Sequence, residues 1–168
     1  AKVKPFVYRV HDEPDMEKLG QLSSFAATLG YTFKVGASSK AVSKNLNKFL
    51  AEVKDKPEGD KFATIAVRTM AKAKYTTDNI GHYGLAFPCY THFTSPIRRY
   101  PDLMVHRLLT HYLVDKGAPV DEALLERECE HSSAMEVLAS QAERSSIRYK
   151  QVEYMQQYLG YGFEGTIS

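Results

Sequence analysis

The sequence predicts a mainly helical α+β fold with short strands. Five segments repeat their apolar residues every three or four positions, which is the spacing of an amphipathic helix. Two short segments, residues 4–11 and 163–168, have the character of strands. The composition, with 43% hydrophobic and 25% charged residues, is that of a globular domain able to bury a core.

Three helices should follow the opening strand. Glu13-Pro14-Asp15 supplies start signals for the first helix, whose apolar stripe ends at Gly30. The second should begin near Ser38-Ser39 and run to the turn residues 56–59, and the third should cover residues 60–73. Helices therefore dominate the first half of the chain.

The second half should contain a loop and two further helices. Residues 75–93 are rich in turn formers, and within them residues 82–87 alternate loosely, as a short strand or an extended loop would. The helical pattern returns over residues 96–113. Asp121 then opens a helix that extends to Leu159, about 39 residues and on the order of 58 Å long. Its predicted buried stripe is Leu124, Leu125, Cys129, Met135, Leu138, Ala139 and Ala142.

Composition excludes several classes of protein. The formal charge of +2 carries no argument for nucleic-acid binding, so any basic site must be a local cluster. Cys89 and Cys129 lie far apart with no C-x-x-C pair, which argues against a disulfide framework or a zinc knuckle. No apolar run approaches a membrane span and no signal peptide is recognisable. We therefore expect a cytoplasmic protein with no membrane partner.

The segment from Thr94 to Asp102 combines features of an anion-binding helix terminus. Ser95 is a good N-cap and Pro96 suits the first helical position, so the sequence predicts a helix that begins here. Arg98 and Arg99 fall in the first turn, where the helix dipole disfavours cations unless something negative is bound. Pro101 should kink or break that turn.

Two interpretations of these arginines remain open. They could clamp a phosphodiester, or they could pair with acidic side chains such as Asp102 and merely orient the helix. The neighbouring aromatic residues could stack on bases, although such residues are more often core; they are Tyr90, Phe93 and Tyr100.

Metal and nucleophile alternatives are weaker. His106 and His111 are five residues apart rather than four, and no further ligand completes a tetrahedral set. Asp102 and His106 should meet on one helix face as a structural pair. Ser95 lacks a Gly-x-Ser-x-Gly context, so its N-cap role explains it better than nucleophilic catalysis.

A longer pattern resembles the sequence signature of the ribonuclease II/ribonuclease R (RNB) family. It consists of His82-Tyr83-Gly84-Leu85, the unbroken run from Tyr90 to Asp102 with the core Thr94-Ser95-Pro96-Ile97-Arg98-Arg99-Tyr100, and His106-Arg107. The flanks are also similar, at residues 7–14, 141–144 and 150–153, and the amino-acid sequence is closer to the bacterial ribonuclease R branch of the family. The resemblance covers essentially the whole chain.

The resemblance implies a fold, an activity and a set of site residues. Residues 1–160 would form the carboxy-terminal part of the RNB catalytic domain, and residues 161–168 would begin an OB-type RNA-binding barrel. Arg98 occupies the position of the family's catalytic arginine, which neutralises charge on the scissile phosphate. Thr94, Ser95 and Arg99 would shape that phosphate site, and Phe93 and Tyr100 would contact RNA beside it. Glu143 matches a position on the RNA path, although by itself it would be an exposed helix charge.

One part of the family's site is missing from the sequence. The family hydrolyses single-stranded RNA processively from the 3′ end to nucleoside monophosphates, with magnesium held by an aspartate cluster. No such closely spaced cluster occurs here, so its ligands, the amino-terminal half of the domain and the flanking OB-type domains would lie outside this chain. We therefore expect the chain alone to be inactive. The alternative is a non-catalytic RNA-binding or helical interaction module.

Overall fold

The structure is a computed structural model that describes residues 4–165, apart from the side chains of Ser39 and Lys40. The predicted mainly helical α+β class is confirmed. The elements in chain order are β1 (Tyr8–Val10), α1 (Met16–Thr28), α2 (Ser39–Val53), α3 (Gly59–Thr69), β2 (Lys74–Thr76), α4 (Tyr100–Leu109) and α5 (Glu122–Met155). The described residues divide into two compact units, one of residues 11–73 and 81–87 and one of residues 4–10, 74–80 and 88–165.

The first unit is helical and contains α1, α2 and α3. The predicted helix starts are confirmed, because the Asp15 carboxylate accepts from two N–H groups of the first turn of α1 and Ser38 caps α2. Gly30 follows α1 with a φ of +80°, which favours glycine. The side chain of Phe62 is fully buried at the centre of this unit and packs edge-on against Phe49.

Two expectations for this unit can be compared with the structure. The third helix ends at Thr69 rather than Ala73, because Met70 already adopts an extended backbone with ψ of 140° and leads the chain toward β2. Of the two forms expected for residues 82–87, a short strand or an extended loop, the structure has a loop that encloses a single 3-10 turn, Tyr83–Leu85. His82 makes only isolated bridges, to His11 and to Phe87, so alternation over six residues did not produce a ladder.

The second unit contains the two strands, α4 and α5. β1 pairs antiparallel with β2, with Tyr8 opposite Thr76 and Val10 opposite Lys74. The opening strand, which had no evident partner in the sequence, thus finds it more than sixty residues later. The hydrophobic core of this second unit contains Val7, Tyr75, Val105, Leu108, Leu125 and Cys129.

The helix predicted over residues 96–113 is interrupted. Residues 96–98 form a turn, and α4 begins only at Tyr100 with Arg99 in the N-cap position, so Ser95 is not the helix cap. The predicted break at Pro101 is confirmed, since proline suits the first helical turn but not a position further inside. After Leu109 the chain continues through a π-helical turn, Thr110–Val114.

The long helix α5 is buried along only part of its length. Asp121 caps it as predicted, and the helix ends at Met155, followed by a 3-10 turn, Gln156–Tyr158. Leu125 and Cys129 are buried, but the rest of the predicted stripe is not, because Leu124 is 50%, Met135 43% and Leu138 55% exposed. Ala139 and Ala142 are exposed as well. Residues 141–155 are exposed throughout, so no described part of the chain covers this half of the helix.

Two further findings concern the carboxy-terminal residues and the apolar character of the helices. Residues 163–165 have no regular structure, and the rest of the predicted last strand, residues 166–168, lies outside the described residues. The domain boundary after residue 160 therefore stays a prediction. Within residues 4–165, no helix is both long enough and apolar enough to cross a membrane.

Candidate functional site

The signature segment forms a projecting turn at the start of α4. The Ser95 carbonyl accepts from the backbone N–H groups of Arg98 and Arg99, at 3.3 and 3.0 Å. Ile97 at the tip is fully exposed. The Arg98 side chain is also exposed, and its polar contact within the described chain is a weak one, with Nη2 3.4 Å from Ser95 Oγ. Arg98 therefore points its guanidinium toward solvent.

Asp102 holds this turn from beneath. Its carboxylate has no solvent exposure, and Arg99 donates to it from Nε at 2.5 Å and from Nη2 at 2.9 Å. The Ser95 N–H donates to the same carboxylate at 2.6 Å. Burial works to raise the pKa of Asp102, but these donors outweigh it and the pKa lies below its usual range. Asp102 is thus a buried, ionised acceptor that closes the loop from Ser95 to α4.

The expected pairing of Asp102 with His106 is wrong. Asp102 turns toward Arg99, while His106 Nε2 lies 2.9 Å from the Phe93 carbonyl oxygen and its ring stacks on Phe93 at 4.1 Å. A guanidinium offers the buried carboxylate two parallel hydrogen bonds, which an imidazole one helical turn away does not. Of the two interpretations of the arginines, acid pairing applies to Arg99, whereas Arg98 makes no ion pair with any residue in the described ranges.

A second polar cluster lies behind the turn and is built from both strands, the loop before the turn and α5. His92 Nδ1 and the Tyr75 hydroxyl share a hydrogen bond of 2.7 Å. Arg9 covers the Tyr75 ring at 4.5 Å and binds the Glu136 carboxylate of α5 in bidentate fashion, at 2.6 and 2.9 Å. Burial, reinforced by Arg99 and Arg9, lowers the pKa of His92 to about 4. The imidazole is therefore neutral at physiological pH.

An open cavity of about 870 Å³ separates the turn from α5, and we call it the turn groove. Arginines face it from both sides, Arg98 and Arg99 from the turn and Arg127 from α5. Its walls mix aromatic and charged side chains: Tyr75, His92, Tyr100, Glu128, His131 and Glu136. Such a mixture suits a ligand that carries both negative charge and flat rings.

The structure gathers some of the site residues expected from the sequence and leaves others apart. Arg98, Arg99 and Tyr100 line the turn groove. Phe93 and Thr94 lie on the same loop and are exposed, Phe93 at 43%. Glu143 is exposed on the uncovered half of α5 and does not line the groove.

Sequence reasoning missed the residues that meet the turn from elsewhere. Tyr75, Arg127 and Glu136 reach the groove or the cluster behind it from β2 and α5. They carry no local motif, and only the pairing of β1 with β2 and the packing of α5 bring them together. His92 lies within the signature segment, but nothing in the neighbouring sequence predicts its hydrogen bond to Tyr75.

The described residues do not provide a metal centre. Among residues 4–165, no three His, Cys, Asp or Glu side chains come close enough to hold an ion together. Glu128 and Glu136 line the turn groove, but Glu136 is engaged by Arg9. A magnesium ligand set does not fit the residues present here.

Comparison with known proteins places this geometry in a family. The family model described as "RNB domain" matches residues 1–115, which include the whole turn and α4. The chain belongs to the RNB-domain family. This RNB chain is 42% identical over 170 residues to ribonuclease R of Thermotoga maritima, covering 98% of this chain and 24% of that protein. It is 33% identical over 177 residues to ribonuclease R of Escherichia coli, covering 98% of this chain and 21% of that protein.

Solved structures agree with the sequence relatives. Mycoplasma genitalium RNase R in complex with double-stranded RNA matches with a TM-score of 0.83 and 32% identity, over 97% of this RNB chain and 30% of that chain. Yeast Ssd1, described as a pseudonuclease, matches with a TM-score of 0.61 and 27% identity, over 77% of this chain and 16% of that chain. The RNB chain spans about a quarter of the length of the curated relatives it matches.

Proposed function

We propose that this chain supplies the phosphate-binding part of a processive 3′→5′ exoribonuclease that hydrolyses single-stranded RNA to nucleoside 5′-monophosphates. The observation that carries the proposal is the exposed guanidinium of Arg98 at the edge of the turn groove, which forms no ion pair within residues 4–165. The ribonuclease R relatives support it, as does the complex of Mycoplasma genitalium RNase R with ribose methylated single-stranded RNA. We place the protein in the cytoplasm, in line with its two free cysteines.

Arg98 is the residue we assign to the reaction itself. A planar guanidinium donates two parallel hydrogen bonds to phosphate oxygens and stays charged at any physiological pH. When a phosphodiester is attacked, negative charge accumulates on its non-bridging oxygens. A fixed cation beside those oxygens stabilises the transition state more than the ground state, and so raises turnover.

The neighbouring residues shape the site around that phosphate. Ser95 and Arg99 form the frame of the turn that carries Arg98, and Thr94 is exposed on the loop just before Ser95. The exposed rings of Phe93 and Tyr100 offer stacking surfaces for bases on either side of the frame. Base stacking tolerates any sequence, as a processive enzyme requires.

Two parts of the proposal depend on residues that this chain does not contribute. Glu143 would line the RNA path from the uncovered half of α5, where further parts of the protein would complete the channel. Magnesium, held by aspartates that this chain does not contribute, would activate water for attack in line with the leaving oxygen. We infer that the 168-residue chain alone is inactive and that the remaining domain half and OB-type domains restore activity.

A non-catalytic RNA-binding module is the second candidate. It is favoured by the likeness to yeast Ssd1 and by the lack of a metal-holding cluster among residues 4–165. A module of this kind would bind single-stranded RNA through the turn groove and release no product. The two candidates differ in what the complete polypeptide does to RNA, since both predict binding.

The experiment is a nuclease assay of the complete polypeptide that contains this chain, with a 5′-labelled single-stranded oligonucleotide and magnesium. We expect stepwise shortening from the 3′ end, and Arg98→Ala should lower kcat by at least about 100-fold, because the phosphate contact is stronger in the transition state than in the bound ground state. The loss of RNA affinity should be much smaller than the loss of kcat. Arg68→Ala, which removes an exposed arginine of α3 outside the groove, is the matched control.

Three results would count against the proposal. Binding without any shortening would favour the non-catalytic module. Normal turnover of Arg98→Ala would remove that residue from the reaction. Release of monophosphates by the 168-residue chain itself would show that the inferred dependence on missing domains is wrong.

A further inference from the structure

The two adjacent arginines of the turn have different environments. Arg99 is bound through Nε and Nη2 to both carboxylate oxygens of Asp102, and its side chain is 26% exposed. Arg98 is exposed, and its polar contact among the described residues is with the hydroxyl of Ser95, at 3.4 Å. Two side chains of the same chemistry, one residue apart, are thus held in opposite ways.

The burial of Asp102 explains why Arg99 cannot readily change partner. The Asp102 carboxylate has no contact with solvent, so it depends on protein donors to remain ionised. If Arg99 turned to a phosphate of the RNA, that carboxylate would lose two charge-assisted hydrogen bonds and keep only the Ser95 N–H. The exchange would take hydrogen bonds from a buried carboxylate to form an ion pair exposed to solvent, which contributes little.

The same carboxylate also sets where Arg98 points. Asp102 fixes Ser95 through its N–H and Arg99 through its side chain, and the Ser95 carbonyl accepts from the N–H groups of both arginines. Residues 96–98 therefore form a turn whose two ends are tied to one buried group. Arg98 is the last residue of that tied turn, and its side chain is directed to the groove.

We propose that Asp102 is a positioning residue that retains Arg99 within the protein, so that Arg98 alone of the pair meets the RNA phosphate. This inference rests on the proposed binding of RNA at the turn groove, and it adds which arginine makes the contact and what enforces the choice. Asp102 touches neither substrate nor solvent and acts entirely through Arg99 and Ser95.

The salt dependence of RNA binding measures how many of the two arginines, Arg98 and Arg99, contact an RNA phosphate. Each phosphate contact to single-stranded RNA contributes about 0.7 to the slope of log Kobs against log salt. The complete polypeptide is titrated with a fluorescein-labelled single-stranded oligonucleotide in EDTA, so that no RNA is consumed. Arg98→Gln should make the slope shallower by about 0.7.

Asp102→Asn is the decisive variant. Asparagine keeps an acceptor for the Ser95 N–H but removes the charge that retains Arg99, so we expect the slope to steepen by about 0.7 as Arg99 reaches a phosphate. The double variant Arg99→Gln/Asp102→Asn should return the slope to the wild-type value. Arg99→Gln alone should also leave the slope unchanged, and this variant decides the matter if Asp102→Asn does not fold.

The outcomes separate this inference from the function on which it rests. If the slope becomes shallower for Arg98→Gln, RNA binds at the turn. In that case, a shallower slope for Arg99→Gln, or an unchanged slope for folded Asp102→Asn, overturns the role of Asp102 and leaves RNA binding at the turn intact. An unchanged slope for Arg98→Gln means that the turn does not contact RNA, and the proposed function fails at that point.

Discussion

The hydroxyl of Tyr75 on β2 lies 2.7 Å from Nδ1 of His92, on the loop that leads into the signature turn. Tyr75 is buried at 3% exposure, and Arg9 covers its ring. Burial raises the pKa of Tyr75 to about 12 and lowers the pKa of His92 to about 4. A neutral pair thus connects the small sheet to the loop that carries the site.

This pair predicts that the protein loses stability in mild acid. The unfolded chain binds a proton on His92 below its ordinary pKa of 6.5, whereas the folded chain does so only near 4. Because the unfolded state holds more protons between those values, the free energy of unfolding should fall as the pH drops from about 6.5 to about 4. Urea unfolding of the 168-residue chain across this range measures it.

The control for that prediction is a second histidine. His92→Gln should flatten the dependence in the window from about 6.5 to 4, while His131→Gln, which removes an exposed imidazole of α5, should leave it in place. Asp102 does not affect the result in this window. The pKa of Asp102 is lowered in the folded protein, so the stabilisation that its carboxylate contributes is lost only below the ordinary pKa of 3.8. An equal slope in wild type and His92→Gln would contradict the assignment.

Removal of the Asp102 carboxylate should also be costly for folding. Asp102→Ala leaves the Ser95 N–H and part of Arg99 without their acceptor, and we expect the free energy of unfolding to fall by about 3 kcal/mol. Asp115→Ala, which removes an exposed carboxylate just after the π-helical turn, should change the free energy of unfolding by less than about 0.5 kcal/mol. Equal effects of the two substitutions would show that the ion pair adds nothing.

Two glycines predict opposite effects of the same substitution. A Cβ added at Gly36 would lie 2.5 Å from the backbone carbon of Ala41, so Gly36→Ala should destabilise the chain by about 1–3 kcal/mol through overpacking. Gly20 lies inside α1 with open space around it, so Gly20→Ala should stabilise by about 0.5–1 kcal/mol. Thermal unfolding of both variants tests the pair, and a gain of stability for Gly36→Ala would contradict the close approach.

Substitution of Tyr100 should weaken RNA binding without affecting folding. Its ring is 50% exposed at the groove, so Tyr100→Ala should weaken binding of single-stranded RNA by about 1–3 kcal/mol through the loss of base stacking. Tyr149→Ala, which removes a ring exposed on α5 outside the groove, is the matched control. If both variants bind RNA like wild type, Tyr100 does not stack on a base.

Much of the fold and the location of the site follow from local sequence. Asp15, Ser38 and Asp121 mark helix starts because each side chain satisfies N–H groups within three residues of itself. Pro101 breaks the helical pattern for an equally local reason. The signature segment, with Arg98 in it, identifies the family without any structure.

The tertiary structure decided everything that depends on distant partners. The sequence left open whether Arg98 and Arg99 bind phosphate or pair with acid, and burial of Asp102 under the turn settled the pairing of Arg99. The strand β2 escaped prediction because three residues carry little periodicity, and it exists through its pairing with β1.

Burial along α5 shows the limit of periodicity most clearly. The apolar stripe of this helix continues past Cys129, but Leu138 and Ile147 are exposed by more than half. Sequence determines which face of a helix is apolar, since that depends only on the spacing of residues along one segment. Whether the face is covered depends on what packs against it, and only the three-dimensional arrangement of the chain determines that.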